Sequence, residues 1–244
     1  MTTIASPQNE KLKLVRKLRE RKHREREGLF ATEGEDLVEA GLATGLEPRT
    51  LLTAAGSGLA QRWGGDEVEP DLLADVSALG SGTRAIAVWP LRFSELPGSP
   101  CLYLHGVGDP GNVGTIVRSA DALLGCPVVL GPECADPFSP KAVRASMGSI
   151  FARPPARSGF EATPPKRAAL VAHGGAGLEA LAGASTVCLG AERDGLPADV
   201  LAGCEVEVTI PLRPGVESLN VAAAAAIACE RLSSPAMAEA RPDA

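Results

Sequence analysis

The stretch over residues 210–230, IPLRPGVESLNVAAAAAIACE, constrains this 244-residue chain more than any other. Val206, Val208 and Ile210 alternate with polar residues and read as the end of a strand. A Pro-Gly loop follows, and a helix is predicted over residues 219–232. Five consecutive alanines at 222–226 leave that helix almost no bulk. Alanine is the best helix former and projects only a methyl group, so the helix can lie very close to other backbone. Ser218 is the expected cap, because its hydroxyl can accept from the first free backbone N–H groups. Arg213, Gly215, Glu217, Ser218 and Asn220 crowd the loop before the helix. A polar loop entering a slim helix suits a ligand, and a plain packing helix would carry the same pattern.

Composition narrows the rest. Apolar residues are 45% of the chain but aromatics only 3%, so the core must be built from Ala, Val, Leu and Ile. No apolar run approaches the ~18–20 residues of a membrane span, and the N-terminus has no apolar segment of the secretory kind. The six cysteines form no C-x-x-C pair and sit in apolar contexts. They read as small buried hydrophobes in a reducing cytoplasm. The three histidines are scattered, and no metal site is expected.

Net charge is −6, which alone argues against nucleic acid, but its distribution argues the other way. Residues 10–27 hold nine Lys/Arg against four Glu, a local +5 that leaves −11 for the remainder. Concentration of cations on one element is what binds phosphates. Ser6-Pro7 is a helix start, and Leu12, Val15 and Leu18 then recur at helical spacing. Lys17, Arg21, Lys22 and Arg24 are among the cations of that segment. A solvated helix face laced with Glu pairs would look the same.

Alternating strand-like and helix-like segments over residues 1–92 predict a small α/β domain. Its strands are expected at 29–32, 49–53, 67–69 and 84–89, with a helix after Gly34. Breakers crowd the region after Pro90, so a linker is placed at 93–100. A second domain, 101–233, follows with strands at 101–105, 127–130, 168–172, 186–189 and 206–210. Helices are expected at 115–124, 140–147, 178–181 and 219–232. Strands separated by helices imply a largely parallel sheet covered on both faces. Residues 234–244 are expected to be a disordered tail.

Gly106, Gly108 and Gly111 form G-x-G-x-x-G between a strand and a helix, with Glu133 placed as a ribose partner. This is the dinucleotide fingerprint in its proper context. Asp109 argues against it, because its carboxylate would be brought toward a pyrophosphate.

Three blocks of the second half together point elsewhere. They are DPGNVGTIVRSADALLG from Asp109 with its continuation DPFSPKAVRASMGSIFARP from Asp136, LGAERDGL from Leu189, and IPLRPGVESLNVAAAAA from Ile210. In order and spacing they resemble the SpoU/TrmH family of RNA ribose 2′-O-methyltransferases, within the SPOUT superfamily. The start IASPQNEKLKLVRKL, with RKHREREGLFATEGEDLV, resembles that family's small L30e-like RNA-binding domain.

The resemblance implies an α/β SPOUT domain with a parallel sheet and a deep C-terminal trefoil knot, a known exception to the rule against threaded loops. It implies S-adenosyl-L-methionine as cofactor, structured RNA as substrate and a cytoplasmic homodimer. The appended N-terminal domain favours 23S ribosomal RNA over tRNA. Residue by residue, Asn112 and Arg118 match the first block's polar pair, Glu192 the second block's acid, and Ser218 and Asn220 the third block's pair. Ser119 departs from the more usual threonine but keeps the hydroxyl. The cofactor is implied to lie against Leu189, Gly190, Glu192, Ile210, Pro211, Ser218 and Leu219, with glycine at 190 admitting close backbone approach. Lys17, Arg21, Lys22, Arg24 and Arg144 are the implied RNA contacts. Arg118 would stabilise the developing 2′-alkoxide and clamp a phosphate, since a guanidinium stays protonated. Two other readings stand beside this one: a nicotinamide-dependent oxidoreductase resting on the glycine loop, and a non-catalytic RNA-binding protein.

Overall fold

The computed structural model describes residues 3–78, 82–96, 98 and 100–233. The tail expected over 234–244, and residues 97 and 99 of the expected linker, lie outside them. The chain begins with α1 (Glu10–Lys17), α2 (Arg21–Glu27), β1 (Leu29–Glu33), α3 (Glu35–Ala43), β2 (Thr50–Ala54) and α4 (Leu59–Trp63). It continues with β3 (Asp66–Val68), α5 (Pro70–Val76), β4 (Ala85–Pro90), β5 (Cys101–Leu104), α6 (Pro110–Leu124) and β6 (Val128–Leu130). Then come α7 (Pro140–Ser146), α8 (Ser149–Ala152), β7 (Ala156–Arg157), β8 (Arg167–Leu170) and β9 (Thr186–Leu189). Last are α9 (Ala198–Ala202), β10 (Val206–Val208) and α10 (Val221–Ser233). Among the described residues the strands form two sheets, one in each of two compact units.

The first unit comprises Met1–Arg92 together with Phe138–Phe151. Its sheet runs β1-β4-β2-β3, antiparallel except for the β2–β3 pair. On one face Leu12, Val15 and Leu18 of the N-terminal segment pack with Leu52, Val68, Leu73, Ile86 and Val88. Helix α1 starts later than Ser6-Pro7 suggests. Asn9 is the cap, its side chain accepting from the Lys11 amide at 2.9 Å, while Ser6 only closes a turn onto Gln8 and Asn9.

An aromatic cluster holds Phe138–Phe151 in this unit. Phe30 stacks tilted on Phe138 with centroids 5.0 Å apart, and Phe151 meets Trp89 edge-on at 5.0 Å. The buried Trp89 indole donates to Thr32 Oγ1 at 2.8 Å, meeting the requirement for a partner at its polar tip. The contiguous second domain expected over 101–233 is therefore interrupted. Segment 138–151 carries a phenylalanine at each end, and the aromatic face of the first sheet claims both.

The second unit comprises Phe93–Pro137 and Ala152–Ala244. Its sheet runs β10-β8-β9-β5-β6-β7, and every pairing is parallel. The start of the expected linker is fastened rather than free. The Phe93 ring lies under the Arg157 guanidinium at 4.5 Å, and the Ser94 amide donates to the Pro155 carbonyl at 3.0 Å. Strand β7 escapes sequence reading because two residues after a Pro-Pro pair carry no alternation. Helices α6 and α10 pack against each other over one face, Val113, Ile116, Val117 and Ala120 meeting Ala222, Ala225 and Ala228.

The alanine run is thus divided among three environments. Ala222 and Ala225 are buried, Ala223 is exposed, and Ala224 faces a cavity. Only the buried positions need the small side chain. Ala225→Leu should overpack the α6–α10 interface and cost about 1–3 kcal/mol, lowering the denaturant midpoint. Ala223→Leu should leave the midpoint unchanged; an equal drop in both would place the constraint outside that interface.

Candidate active site

The second unit's site lies at the carboxyl ends of the strands, where β9 and β5 adjoin. Strands run outward from β5 through β6 on one side and through β9 on the other, so this is the switch point at which open parallel sheets hold ligands. β9 ends at Leu189, whose carbonyl accepts from the His105 amide at 2.9 Å. The chain then folds back on itself. Ala191 and Gly195 exchange backbone hydrogen bonds of 3.1 and 3.0 Å, with Glu192, Arg193 and Asp194 at the tip. A Cβ at Gly190 would stand 2.1 Å from the Gly195 carbonyl carbon. Glycine at 190 is therefore required by the loop's own backbone, which is a different reason from the ligand approach expected.

Helix α6 begins beside this loop. Asp109 is its cap, the carboxylate accepting from the Asn112 amide at 3.0 Å, and Pro110 takes the first helical position. Asp at the cap with Pro behind it is a helix-start signal legible in D-P-G-N. The carboxylate that closes this helix end stands where a pyrophosphate would have to sit.

Asn112 joins the three sequence blocks. Its Nδ2 donates to Glu192 Oε1 in a short hydrogen bond, and its Oδ1 accepts from Asn220 Nδ2 at 3.1 Å. Asn220 Oδ1 in turn accepts from the Ala222 and Ala223 amides at 2.9 and 3.4 Å. Asn220 is thus the cap of α10. The expectation for Ser218 fails because the helix starts at Val221, two residues too late for that hydroxyl to reach.

A cavity of about 370 Å³ opens between the Leu189–Leu196 loop, the end of β8 and the start of α10. That volume lies within the ~300–1,000 Å³ of small-ligand clefts. Leu189, Gly190, Glu192, Ile210, Ser218 and Leu219, all named from sequence, line it, and Pro211 does not. Leu170, Arg193, Leu201 and Ala224 line it as well. Sequence reasoning missed Leu170 and Leu201 because nothing in their own local sequence marks them as bordering a ligand, while Arg193 and Ala224 stand inside the second and third blocks without being singled out there. The walls are apolar, and the charges gather at the Glu192–Asp194 turn.

Arg118 stands apart from the asparagine–glutamate junction. It is exposed on α6 and makes no hydrogen bond or ion pair among the described residues. The side-chain nitrogen and oxygen of Asn112 are engaged by Glu192 and Asn220 rather than by Arg118. Burial pushes the pKa of the Cys101 and Cys134 thiols up, and that of Cys229 up to about 12. Among the described residues no group of three or more His, Cys, Asp or Glu could hold a metal ion, and no helix is long and apolar enough to cross a membrane.

The cations named for RNA belong to the first unit, and they differ in kind. Lys17 is exposed at the end of α1. Arg21 pairs with Glu25 at 2.8 Å and Lys22 with Glu20 at 2.7 Å, both exposed. The Lys22 ammonium hydrogen-bonded to Glu20 holds that carboxyl below its usual range. Arg144 is exposed on α7. Arg24 is corrected: it is 3% exposed, and its Nη1 donates to the Leu18 and Arg19 carbonyls at 2.7 and 2.8 Å. It fastens the break between α1 and α2 and has no surface to offer a phosphate.

With this geometry in hand, comparison assigns the class. The chain belongs to the SpoU rRNA methylase family, whose model matches residues 99–230, and an MRM3-like substrate binding domain matches residues 9–80. It is similar to the 23S rRNA (guanosine(2553)-2′-O)-methyltransferase RlmP of Bacillus subtilis, 32% identical over 241 residues, 93% of this chain and 97% of that protein. Among solved structures, the AdoMet-bound rRNA methyltransferase from Sinorhizobium meliloti superposes with a TM-score of 0.83 at 29% identity, covering 95% of this chain and 97% of that one. Membership in this family overturns the oxidoreductase reading of Gly106, Gly108 and Gly111.

Arg24→Ala should remove two charge-assisted hydrogen bonds from a buried position and cost about 2–3 kcal/mol. A urea titration checks this. An unchanged midpoint would return Arg24 to the surface and to the RNA-binding set.

Proposed function

We propose that this chain transfers a methyl group from S-adenosyl-L-methionine to a ribose 2′-hydroxyl of 23S ribosomal RNA. The observation that carries the reading is the Asn112 junction, which ties Glu192 at the cavity to the starts of α6 and α10. The cavity fits the cofactor: apolar walls from Leu189, Leu201 and Leu219 suit an adenine, and a charged turn suits an amino-acid tail. When bound, the cofactor supplies a methyl group already activated by a positive sulfonium.

This chain's residues would then bind and align. Leu189, Gly190 and Ile210 hold the adenosyl part, and Glu192 is kept in place by Asn112. Asn220 orders the start of α10, and Ser218 lines the cavity. Arg118 is free to meet the RNA, where its fixed positive charge stabilises the 2′-oxygen as it gains charge and grips the adjacent phosphate. Alignment of nucleophile and methyl accounts for the remaining barrier reduction. A protein that only bound RNA would have no use for a cavity joined to Asn112 and Glu192.

The same reading takes residues 1–92 as the RNA-binding domain, with Lys17, Arg21 and Lys22 as its contacts, and adds Arg144 of α7 as a further one. It carries with it a homodimer, a cytoplasmic place of action beside ribosomal RNA, and a trefoil knot with residues 210–233 as its last pass.

Mapping of 2′-O-methyl groups after incubation with purified 23S rRNA and tRNA should find the modification in 23S rRNA; methylation of tRNA alone would sink the ribosomal assignment. Arg118→Ala should lower methyl transfer at least ~100-fold, on the order of an electrostatic donor's contribution, with cofactor affinity unchanged. Parallel loss of cofactor binding would remove Arg118 from the chemistry. Replacing Lys17 and Lys22 by glutamine should weaken RNA binding and reduce the slope of log affinity against log salt by roughly one for each phosphate that is no longer neutralised. An unaltered slope would leave those lysines as solvated surface.

A further inference from the structure

The turn at the cavity mouth holds more charge than the Asn112 junction uses. Glu192, Arg193 and Asp194 all line the cavity, and Arg193 is the one cation among the described residues that do. Glu192 is engaged by Asn112. Arg193 and Asp194 make no hydrogen bond or ion pair among the described residues, although they sit on a turn pinned at both ends by the Ala191–Gly195 pair. Two neighbouring opposite charges are thus held at a ligand cavity without a partner for either.

The inference rests on the cofactor reading above and goes one step into it. We propose that Arg193 and Asp194 form a subsite for an α-amino-acid group, Arg193 pairing with its carboxylate and Asp194 with its ammonium. The planar guanidinium matches a carboxylate fork to fork, which an ammonium cannot do. The rest of the cavity lining is largely apolar and selects the adenosyl part by burial. The turn therefore sets which end of the ligand faces outward. It also discriminates against adenosine derivatives that lack the amino-acid tail.

Three probes separate the contributions when their binding to the full chain is measured by calorimetry. S-adenosylhomocysteine has both charged groups, decarboxylated S-adenosylmethionine only the ammonium, and 5′-methylthioadenosine neither. Arg193→Gln should weaken S-adenosylhomocysteine about tenfold, equivalent to about 1.4 kcal/mol, and leave the other two unchanged. Asp194→Asn should weaken the two ammonium-bearing ligands and leave 5′-methylthioadenosine unchanged, which also shows that the cavity is intact. Equal losses for all three ligands, or no loss for any, would overturn the subsite. So would an Arg193→Gln protein that binds S-adenosylhomocysteine normally and RNA more weakly, since Arg193 would then be a phosphate ligand. Wild-type protein that binds none of the three would overturn the cofactor reading itself.

Discussion

One amide side chain ties the catalytic unit together. Asn112 has a single oxygen and a single NH₂ group, and each faces a different part of the chain: Glu192 at the cavity turn and Asn220 at the start of α10. Its backbone N–H is taken by Asp109, which begins α6. Partners 80 and 108 residues away along the chain are thereby held in register by groups whose donor and acceptor roles cannot be exchanged. An Asn amide reversed by 180° would set its NH₂ against the Asn220 NH₂ and its oxygen against a carboxylate. Aspartate at 112 would likewise face Glu192 with a second negative charge. The chemistry of this position therefore admits an amide and little else.

Close approach of backbone to backbone is the second constraint, and it acts within the protein before any ligand arrives. Gly190 is glycine because the Gly195 backbone occupies the place of its Cβ. Ala225 and Ala228 are alanine because α6 lies across them. These positions fix the wall of the cavity by removing bulk from the segments that border it. Leu189, Leu201 and Leu219 then restore apolar surface where a ligand would lie. A cavity built this way keeps its shape through packed backbone, which deforms less readily than long side chains can rotate.

Much of this was legible in the sequence, and the failures share a cause. The parallel sheet and most of the strand and helix order of the second half follow from local patterns, apolar runs and glycine turns, and six of the seven residues that the family resemblance implied for the cofactor line the cavity. What stayed hidden depended on partners distant in sequence. Segment 138–151 reads as one more helix of the second domain until Phe30 and Trp89 are seen to face it. Ser218 and Asn220 are both good caps, and only the true start of α10 decides between them. Ser6 lost to Asn9 in the same way at α1, since cap preference ranks residue types without locating the first turn.

The basic N-terminal segment shows how far a charge count can carry an argument. Within a run of nine cations, Arg24 is buried against carbonyls at the end of α1, Arg16 reaches Asp75 at 2.7 Å, and Lys11 pairs with Asp66. Lys13, Arg21, Lys22 and Arg26 pair with glutamates of the run itself. Exposed pairs of this kind add little to stability, so a phosphate can displace the carboxylate at small cost. Arg24 cannot be recruited that way, because leaving its site would strand one buried and one partly buried carbonyl. A net charge of +5 over eighteen residues is therefore a bound on electrostatic attraction, and which cations can act on it is decided by burial. The surface lysines and arginines, whose partners are exchangeable, are the ones on which the proposed RNA contact would draw.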